Sequence, residues 1–288
     1  MMRERITSTS NATRERQKKA FVKLLWYFLF LIFFVIGLSF LSRIDSLLIK
    51  EVNVSGNTIL KEEDISKKTL SLLSKKRFLL FSGQNKFILS KKNIENSLKK
   101  EFPRILTIES SLEGNSINFS LTERERAHLW CGDNPPAYGD RLSSDEDCYF
   151  LDNSGFIFDT SPKFSSGVYF TFYKKIEDEN PIGQYILDFD FLKDLESFIK
   201  GVKDAGFPVH SLVALDGGQY ELLFNISSIH GDYAKLLFTE DQNLEEIYNK
   251  LISIVGEDPF KTDFENSPNG LEYIDARFTN RIFYKFAE

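Results

Sequence analysis

Residues 105–123 read ILTIESSLEGNSINFSLTE. Ile105–Leu112 and Ser116–Glu123 read as two strands, and Glu113-Gly114-Asn115 between them is a strong short-hairpin signal. Working upstream, residues 47–60 (LLIKEVNVSGNTIL) begin as a strand in which Ile49, Val52 and Val54 are apolar, until Ser55-Gly56-Asn57 breaks the run. A helix is expected over 61–76, with Ile65, Leu72 and Leu73 on one face and lysines on the other. Ser90 reads as the N-cap of a second helix carrying Ile94 and Leu98. Phe102-Pro103 ends that helix, because proline disfavours helical geometry in the residue before it. The order β-α-α-β-β over residues 47–124 makes one small α+β domain.

Further upstream lies LLWYFLFLIFFVIGLSFLS, Leu24–Ser42, nineteen residues without a charge. At about 1.5 Å per residue this spans roughly 28 Å, the thickness of a bilayer's hydrocarbon core. Trp26 and Tyr27 sit near one end, where amphipathic rings settle at the interface. A cleaved signal peptide has a shorter apolar region followed by small residues, whereas Phe40-Leu41-Ser42-Arg43 follows here, so a retained transmembrane anchor is expected. Residues 1–23 hold seven Lys and Arg against two Glu, a net +5, while the whole chain is −6. The positive-inside rule therefore puts residues 1–23 in the cytoplasm and the remainder, net −11, outside. The first 20 residues, rich in Ser, Thr, Arg and Lys, read as a disordered tail. The acidic remainder argues against nucleic-acid binding and does not suggest docking on anionic lipid.

Cys131 and Cys148 are the two cysteines of the chain, and both fall on the side expected to be external. They bracket GDNPPAYGDRLSSDED, a polar insertion at 131–148 with no other means of holding its shape. An oxidising compartment favours a disulfide; two unrelated free thiols are the alternative. Two Cys and three dispersed His, at 128, 210 and 230, do not supply a metal site. No G-x-S-x-G, no S-x-x-K beside a K-T-G and no H-E-x-x-H occurs. Asp145-Glu146-Asp147 reads as a solvated loop, with a weak calcium site as the lesser reading. No catalytic role and no cofactor is expected.

Residues 125–288 read as a second, β-rich domain. Gly167–Tyr173, Lys235–Thr239 and the pair Val209–Leu215 and Tyr220–Ile226 around Asp216-Gly217-Gly218 are strands. Phe191, Leu192, Leu195, Phe198, Ile199 and Val202 form a helical stripe within 188–205. Asn243 with Glu246 resembles a capping box opening a helix with Leu244, Ile247, Tyr248, Leu251, Ile252 and Val255, stopped by Gly256. The chain finishes on YIDARFTNRIFYKF, residues 273–286, where Ile274, Ala276 and Phe278 alternate with Tyr273, Asp275 and Arg277. A mostly antiparallel sheet with helices packed on one face is the expected architecture.

These features resemble the FtsQ/DivIB cell-division family, whose members have a single anchor, a β-α-α-β-β module called POTRA and a C-terminal β domain. The likeness rests on VSGN at 54–57, Phe102-Pro103 before the hairpin, and TERERAHLW at 122–130, which lacks the proline the family often has there. Leu151-Asp152-Asn153-Ser154-Gly155 is similar to the family's Asp-x-x-Gly turn, and Ile274-Asp275-Ala276-Arg277 to its closing signature, with Thr279-Asn280-Arg281 in place of the usual Pro-Asn-Gly turn.

The resemblance implies a non-enzymatic divisome protein, enriched at the septum, that holds a coiled-coil partner of the FtsB or DivIC type together with FtsL. It further implies that the C-terminal edge accepts a partner strand, with Tyr273, Ile274, Asp275, Ala276, Arg277, Phe278 and Arg281 as candidate partner-binding residues. An edge strand offers unpaired N–H and C=O groups to an incoming segment, so β-augmentation is the physical mode. Arg277 would pair bidentately with a guest carboxylate, and Tyr273 would offer a rigid ring. A buried central strand is the alternative reading of these residues. A POTRA-bearing scaffold of envelope assembly or secretion, or an anchored ligand-binding sensor, are the competing functions.

Overall fold

The computed structural model describes residues 8–74, 81–140, 147–162, 168–227, 231–266, 270–279 and 281–286. The chain divides into two compact units, Met1–Glu123 and Arg124–Glu288.

The first unit opens with helix α1, Ser8–Leu41. Within it, Arg14–Leu41 is long and apolar enough to cross a membrane, and almost none of that stretch is buried inside the protein. The tail expected to be disordered is helical from Ser8 onward. Ala12, Arg14, Arg16, Gln17, Lys18, Lys19 and Ala20 are helix formers, and extending a helix already nucleated by the span costs little. Residues 1–7 lie outside the described residues.

Strand β1 (Glu51–Ser55), helices α2 (Glu62–Leu73) and α3 (Lys91–Glu101), and strands β2 (Ile105–Glu113) and β3 (Ser116–Glu123) follow. The sheet order is β1-β3-β2, with β3 antiparallel to β2 and parallel to β1. Gly114, at φ 58, makes the β2–β3 turn possible. The two helices form the crossover that a parallel pair requires, and their buried Ile65, Leu73, Ile94 and Leu98 meet Ile105, Ile117 and Phe119 in one core. Ser90 occupies the N-cap position of α3, but its side chain makes no capping bond. At the exit of β1, Gly56 has φ 82, and a Cβ there would fall 2.1 Å from the Leu121 carbonyl oxygen. The Glu123 carboxylate accepts the N–H groups of Thr58 (2.7 Å), Ile59 (3.0 Å) and Leu60 (2.9 Å). Burial works to raise its pKa, but these backbone donors prevail and lower it.

The second unit contains β4 (His128–Trp130), β5 (Cys148–Leu151), β6 (Ile157–Ser161), β7 (Phe170–Lys174), α4 (Phe189–Asp204), β8 (Val209–Leu215), β9 (Gln219–Ser227), β10 (Tyr233–Thr239), α5 (Leu244–Val255), α6 (Phe260–Asn266), β11 (Leu271–Asp275) and β12 (Phe283–Phe286). They form one nine-stranded sheet ordered β12-β11-β10-β9-β8-β7-β4-β5-β6.

The sheet is mixed, with antiparallel pairings in the majority. Five of its pairings are antiparallel, while β4–β7, β7–β8 and β10–β11 run parallel. Two of these parallel joins follow from helical crossovers: α4 carries the chain from β7 to β8, and α5 with α6 carries it from β10 to β11. Gly167 lies outside the described residues, and the strand expected from it begins at Phe170. Asn243 Oδ1 caps α5 by accepting from the N–H groups of Glu245 (2.8 Å) and Glu246 (3.3 Å). Gly256 is the C-cap, with helical geometry (φ −82) rather than the left-handed turn glycine often makes.

One face of the sheet is covered by the helices: Leu192, Leu195, Phe198 and Val202 of α4, Ile247 and Leu251 of α5 and Phe260 of α6 share a core with Leu212, Leu222, Phe224, Leu236 and Ile274. On the other face Leu129, Phe150, Phe158, Tyr173, Val213 and Leu223 form a smaller cluster around the Cys131–Cys148 disulfide. Tyr138, inside the bracketed insertion, sits edge-on to Tyr233 beside that cluster, with ring centroids 5.2 Å apart. Asp145 and Glu146 lie outside the described residues.

Candidate functional site

The C-terminal end of the large sheet is built by two reversals. Helices α5 and α6 bring the chain back so that β11 lies parallel to β10, with Lys235 opposite Tyr273, Leu236 opposite Ile274 and Leu237 opposite Asp275. Beyond Asp275 the chain reverses and returns antiparallel as β12, with Phe283 opposite Asp275, Tyr284 opposite Ile274, Lys285 opposite Tyr273 and Phe286 opposite Leu271.

Tyr273, Ile274 and Asp275 therefore occupy a strand paired on both sides, one position in from the edge. The expectation of an edge at 273–278 is corrected: the edge is β12. The physical reason is the pattern of the last residues. Ile282, Tyr284 and Phe286 alternate with Phe283 and Lys285, and the first three find cover on the helix side of the core. The Phe260 ring of α6 meets Tyr284 edge-on at 4.9 Å and Phe286 at 5.5 Å, which holds β12 on the sheet.

The candidate residues divide accordingly. Ile274 and Ala276 are fully buried. The Ala276 backbone continues the pairing, donating to the Leu237 carbonyl at 2.9 Å while its own carbonyl accepts from Gln242 Nε2 at 2.8 Å. Asp275 and Arg277 bond each other as a fork, Nε to Oδ1 at 2.9 Å and Nη2 to Oδ2 at 2.6 Å, and Arg277 Nη1 also donates to Gln219 Oε1 at 3.3 Å. The guanidinium beside it holds the Asp275 carboxyl below the usual aspartate value despite burial, and the carboxylate raises the Arg277 pKa in return. Arg277 is thus engaged within the protein rather than held ready for a guest carboxylate. Phe278 and Phe283 are 50% and 46% exposed, with ring centroids 4.9 Å apart in an edge-to-face pair on the solvent side of the turn. Lys285, exposed on β12, forms an ion pair with Glu272 at 2.7 Å. Arg281 is exposed in the turn, and its neighbour Asn280 lies outside the described residues.

The two edges of the nine-stranded sheet differ. At β6, Ile157 N–H donates to the Gln184 carbonyl at 2.9 Å and its carbonyl accepts from Gly183 N–H at 2.8 Å, so the start of that edge is already covered by the chain itself. At β12, among the described residues, backbone pairing is to β11 alone. An edge strand whose backbone pairs on one side among the described residues, flanked by two half-exposed rings, is suited to accept an extended segment. Sequence reasoning missed Phe283 and Lys285, although the alternation in IFYKF is their signal.

The other singled-out residues have structural partners. Arg124 bonds the Asp152 carboxylate, whose Oδ1 also accepts from Ser154 N–H (2.8 Å) and Phe156 N–H (3.1 Å) in the turn closed by Gly155. Burial opposes ionisation there, but the bonds from Ser154, Arg124 and Phe156 hold the Asp152 pKa down. His128 Nε2 lies 2.7 Å from Glu196 Oε1, and His210 Nδ1 lies 2.9 Å from Ser211 Oγ. His230 lies outside the described residues. No protein-family model matches the chain, and no curated protein sequence matches it either.

Proposed function

We propose that the chain is a non-enzymatic, single-pass scaffold of the FtsQ/DivIB type, with residues 1–23 cytoplasmic, that captures a partner strand outside the membrane by β-augmentation at β12. The observation that carries this reading is that β12, the last strand of its sheet, pairs among the described residues with β11 and lies next to the exposed Phe278–Phe283 pair. The motifs VSGN, TERERAHLW and IDAR, with the apolar helix ahead of them, supply the division-family component and the septal location. The guest is then an extended segment of a coiled-coil division protein of the FtsB or DivIC type, in complex with FtsL.

Photo-crosslinking tests it. A crosslinker replacing Lys285 on β12 should trap that partner in cells, and one replacing exposed Thr160 on β6, at the opposite edge of the sheet, should not. Equal trapping from both positions, or none from Lys285, defeats strand addition at β12. A fluorescent fusion should form a mid-cell ring; a uniform envelope signal defeats the division assignment.

A further inference from the structure

We propose that the segment 82–87 of the first unit lies on the bilayer surface and contacts anionic phospholipid headgroups through Lys86 and Phe87. The inference rests on α1 crossing a membrane and is independent of strand capture at β12.

The segment is fastened to the residues that leave the helix. Helix α1 ends at Leu41, and the next residue, Ser42, is buried, accepting at its carbonyl from Asn85 Nδ2 (2.9 Å) and at its Oγ from Ser82 N–H (3.4 Å). Two further backbone bonds repeat the attachment: Lys86 N–H to the Leu47 carbonyl at 3.0 Å, and Ile49 N–H to the Gln84 carbonyl at 2.9 Å. Asn85 is itself only 3% exposed, so the clamp is a packed element. A helix that spans the hydrocarbon core therefore fixes this segment at headgroup depth.

What the segment presents suits that depth. The Phe87 ring is 78% exposed, more than any ring on the apolar helix, where Tyr27 reaches 75%. The Lys86 ammonium stands 5.8 Å from the centroid of that ring, and Ile44 beside the helix exit is 45% exposed. An exposed ring with an adjacent cation is the arrangement that settles at a lipid interface. Asp45 is the acidic group at the exit, and Lys50 pairs with it at 3.2 Å. The overall acidity of the chain hides a division: residues 43–123 carry fourteen Lys and Arg against ten Asp and Glu, a net +4, and residues 124–288 carry fifteen against thirty, a net −15. The unit next to the span is thus the one an anionic surface attracts.

The test uses the full chain in a Trp26→Phe background, which leaves Trp130 as the one native indole. Phe87→Trp carries the probe, and Thr58→Trp, beyond the far end of β1, is the reference. Each is reconstituted in vesicles of brominated phosphatidylcholine with or without phosphatidylglycerol, and insertion is checked by flotation after an alkaline wash. The indole introduced at position 87 should be quenched in phosphatidylglycerol vesicles and less so in phosphatidylcholine alone. The indole introduced at position 58 should not be quenched, and adding Lys86→Glu should reduce quenching at position 87. Quenching at 87 no greater than at 58 in floated vesicles overturns the contact while the span stands. Equal quenching at 87 with and without phosphatidylglycerol overturns the anionic assignment. Failure to float overturns the span, and the contact with it.

Discussion

Truncating Phe283 separates a docking surface from an ordinary exposed ring. A phenylalanine presents about 200 Å² in an extended chain, so the 46% of Phe283 left exposed is roughly 90 Å² available to a guest. At about 25 cal/mol per Å², covering it is worth ~2 kcal/mol, or about thirtyfold in Kd. Phe278, 50% exposed and in contact with Phe283, offers a similar area. Phe283→Ala is therefore expected to weaken partner binding by about 1–2 kcal/mol, because an edge ring is covered only in part. The double variant Phe278→Ala/Phe283→Ala should lose more than the sum of the two singles, since removing one ring uncovers area on the other that a guest can still cover. The assay is calorimetric titration of the full chain in detergent with the extracytoplasmic part of the proposed FtsB- or DivIC-type partner, with near-UV circular dichroism confirming the fold. Ile252→Ala, which removes a comparably exposed (39%) apolar side chain from α5, is the control and should leave Kd unchanged. Equal Kd for wild type and Phe283→Ala, with native dichroism, refutes the placement of the guest beside β12.

Gly56→Ala should destabilise the first unit by about 3 kcal/mol, the upper end for one substitution, because the new Cβ meets the Leu121 carbonyl oxygen at 2.1 Å with φ already positive; chemical denaturation reads it. Arg277→Ala leaves the buried Asp275 carboxylate without its fork and should cost about 1 kcal/mol, discounted because the guanidinium is 38% exposed. Asp275 has a depressed pKa when folded, so its stabilisation is present above the ordinary value of 3.8 and fades as pH falls through the lower folded value. The melting difference between wild type and Arg277→Ala should accordingly shrink in acid and hold at neutral pH; an unchanged difference below that range contradicts the pairing. Cys131→Ser/Cys148→Ser removes a link across 17 positions and should lower stability of the second unit by about 3 kcal/mol, read as a loss of denaturation midpoint that reductant reproduces in the wild type.

The first unit was legible because its signals are local. Glu113-Gly114-Asn115 specifies a turn, Ile94 and Leu98 mark one helical face, and Phe102-Pro103 stops that helix, each within a few residues. The second unit was legible as elements but not as a sheet. Nothing near Leu212 states that β8 will lie parallel to β7, because that neighbour is chosen by where α4 packs, through Leu195 and Phe198, rather than by any turn. The helical tail was missed for a related reason. A polar composition reads as disorder when taken alone, yet Arg16–Ala20 continues a helix that the apolar segment has already started.

The site itself shows how one reversal redistributes roles. With β11 internal, a guest strand on β12 runs two strand spacings, about 10 Å, from Tyr273 and Asp275, beyond direct backbone contact. Its solvent-face side chains would instead stand beside Phe283 and Lys285, and those on the opposite face beside Tyr284 and Phe286, which lean on the Phe260 of α6. Asp275 and Arg277 then act as a brace. Their fork holds the start of the reversal between β11 and β12, which is also fastened by the Ala276 N–H to the Leu237 carbonyl, Gln242 to the Ala276 carbonyl and Lys250 to the Thr279 carbonyl. The signature IDAR, read from sequence as the surface that selects the guest, is on this geometry the part that fixes where the edge lies. Arg277→Glu should therefore weaken binding through the position of β12, in parallel with lost stability, whereas Phe283→Ala should weaken it without moving the strand.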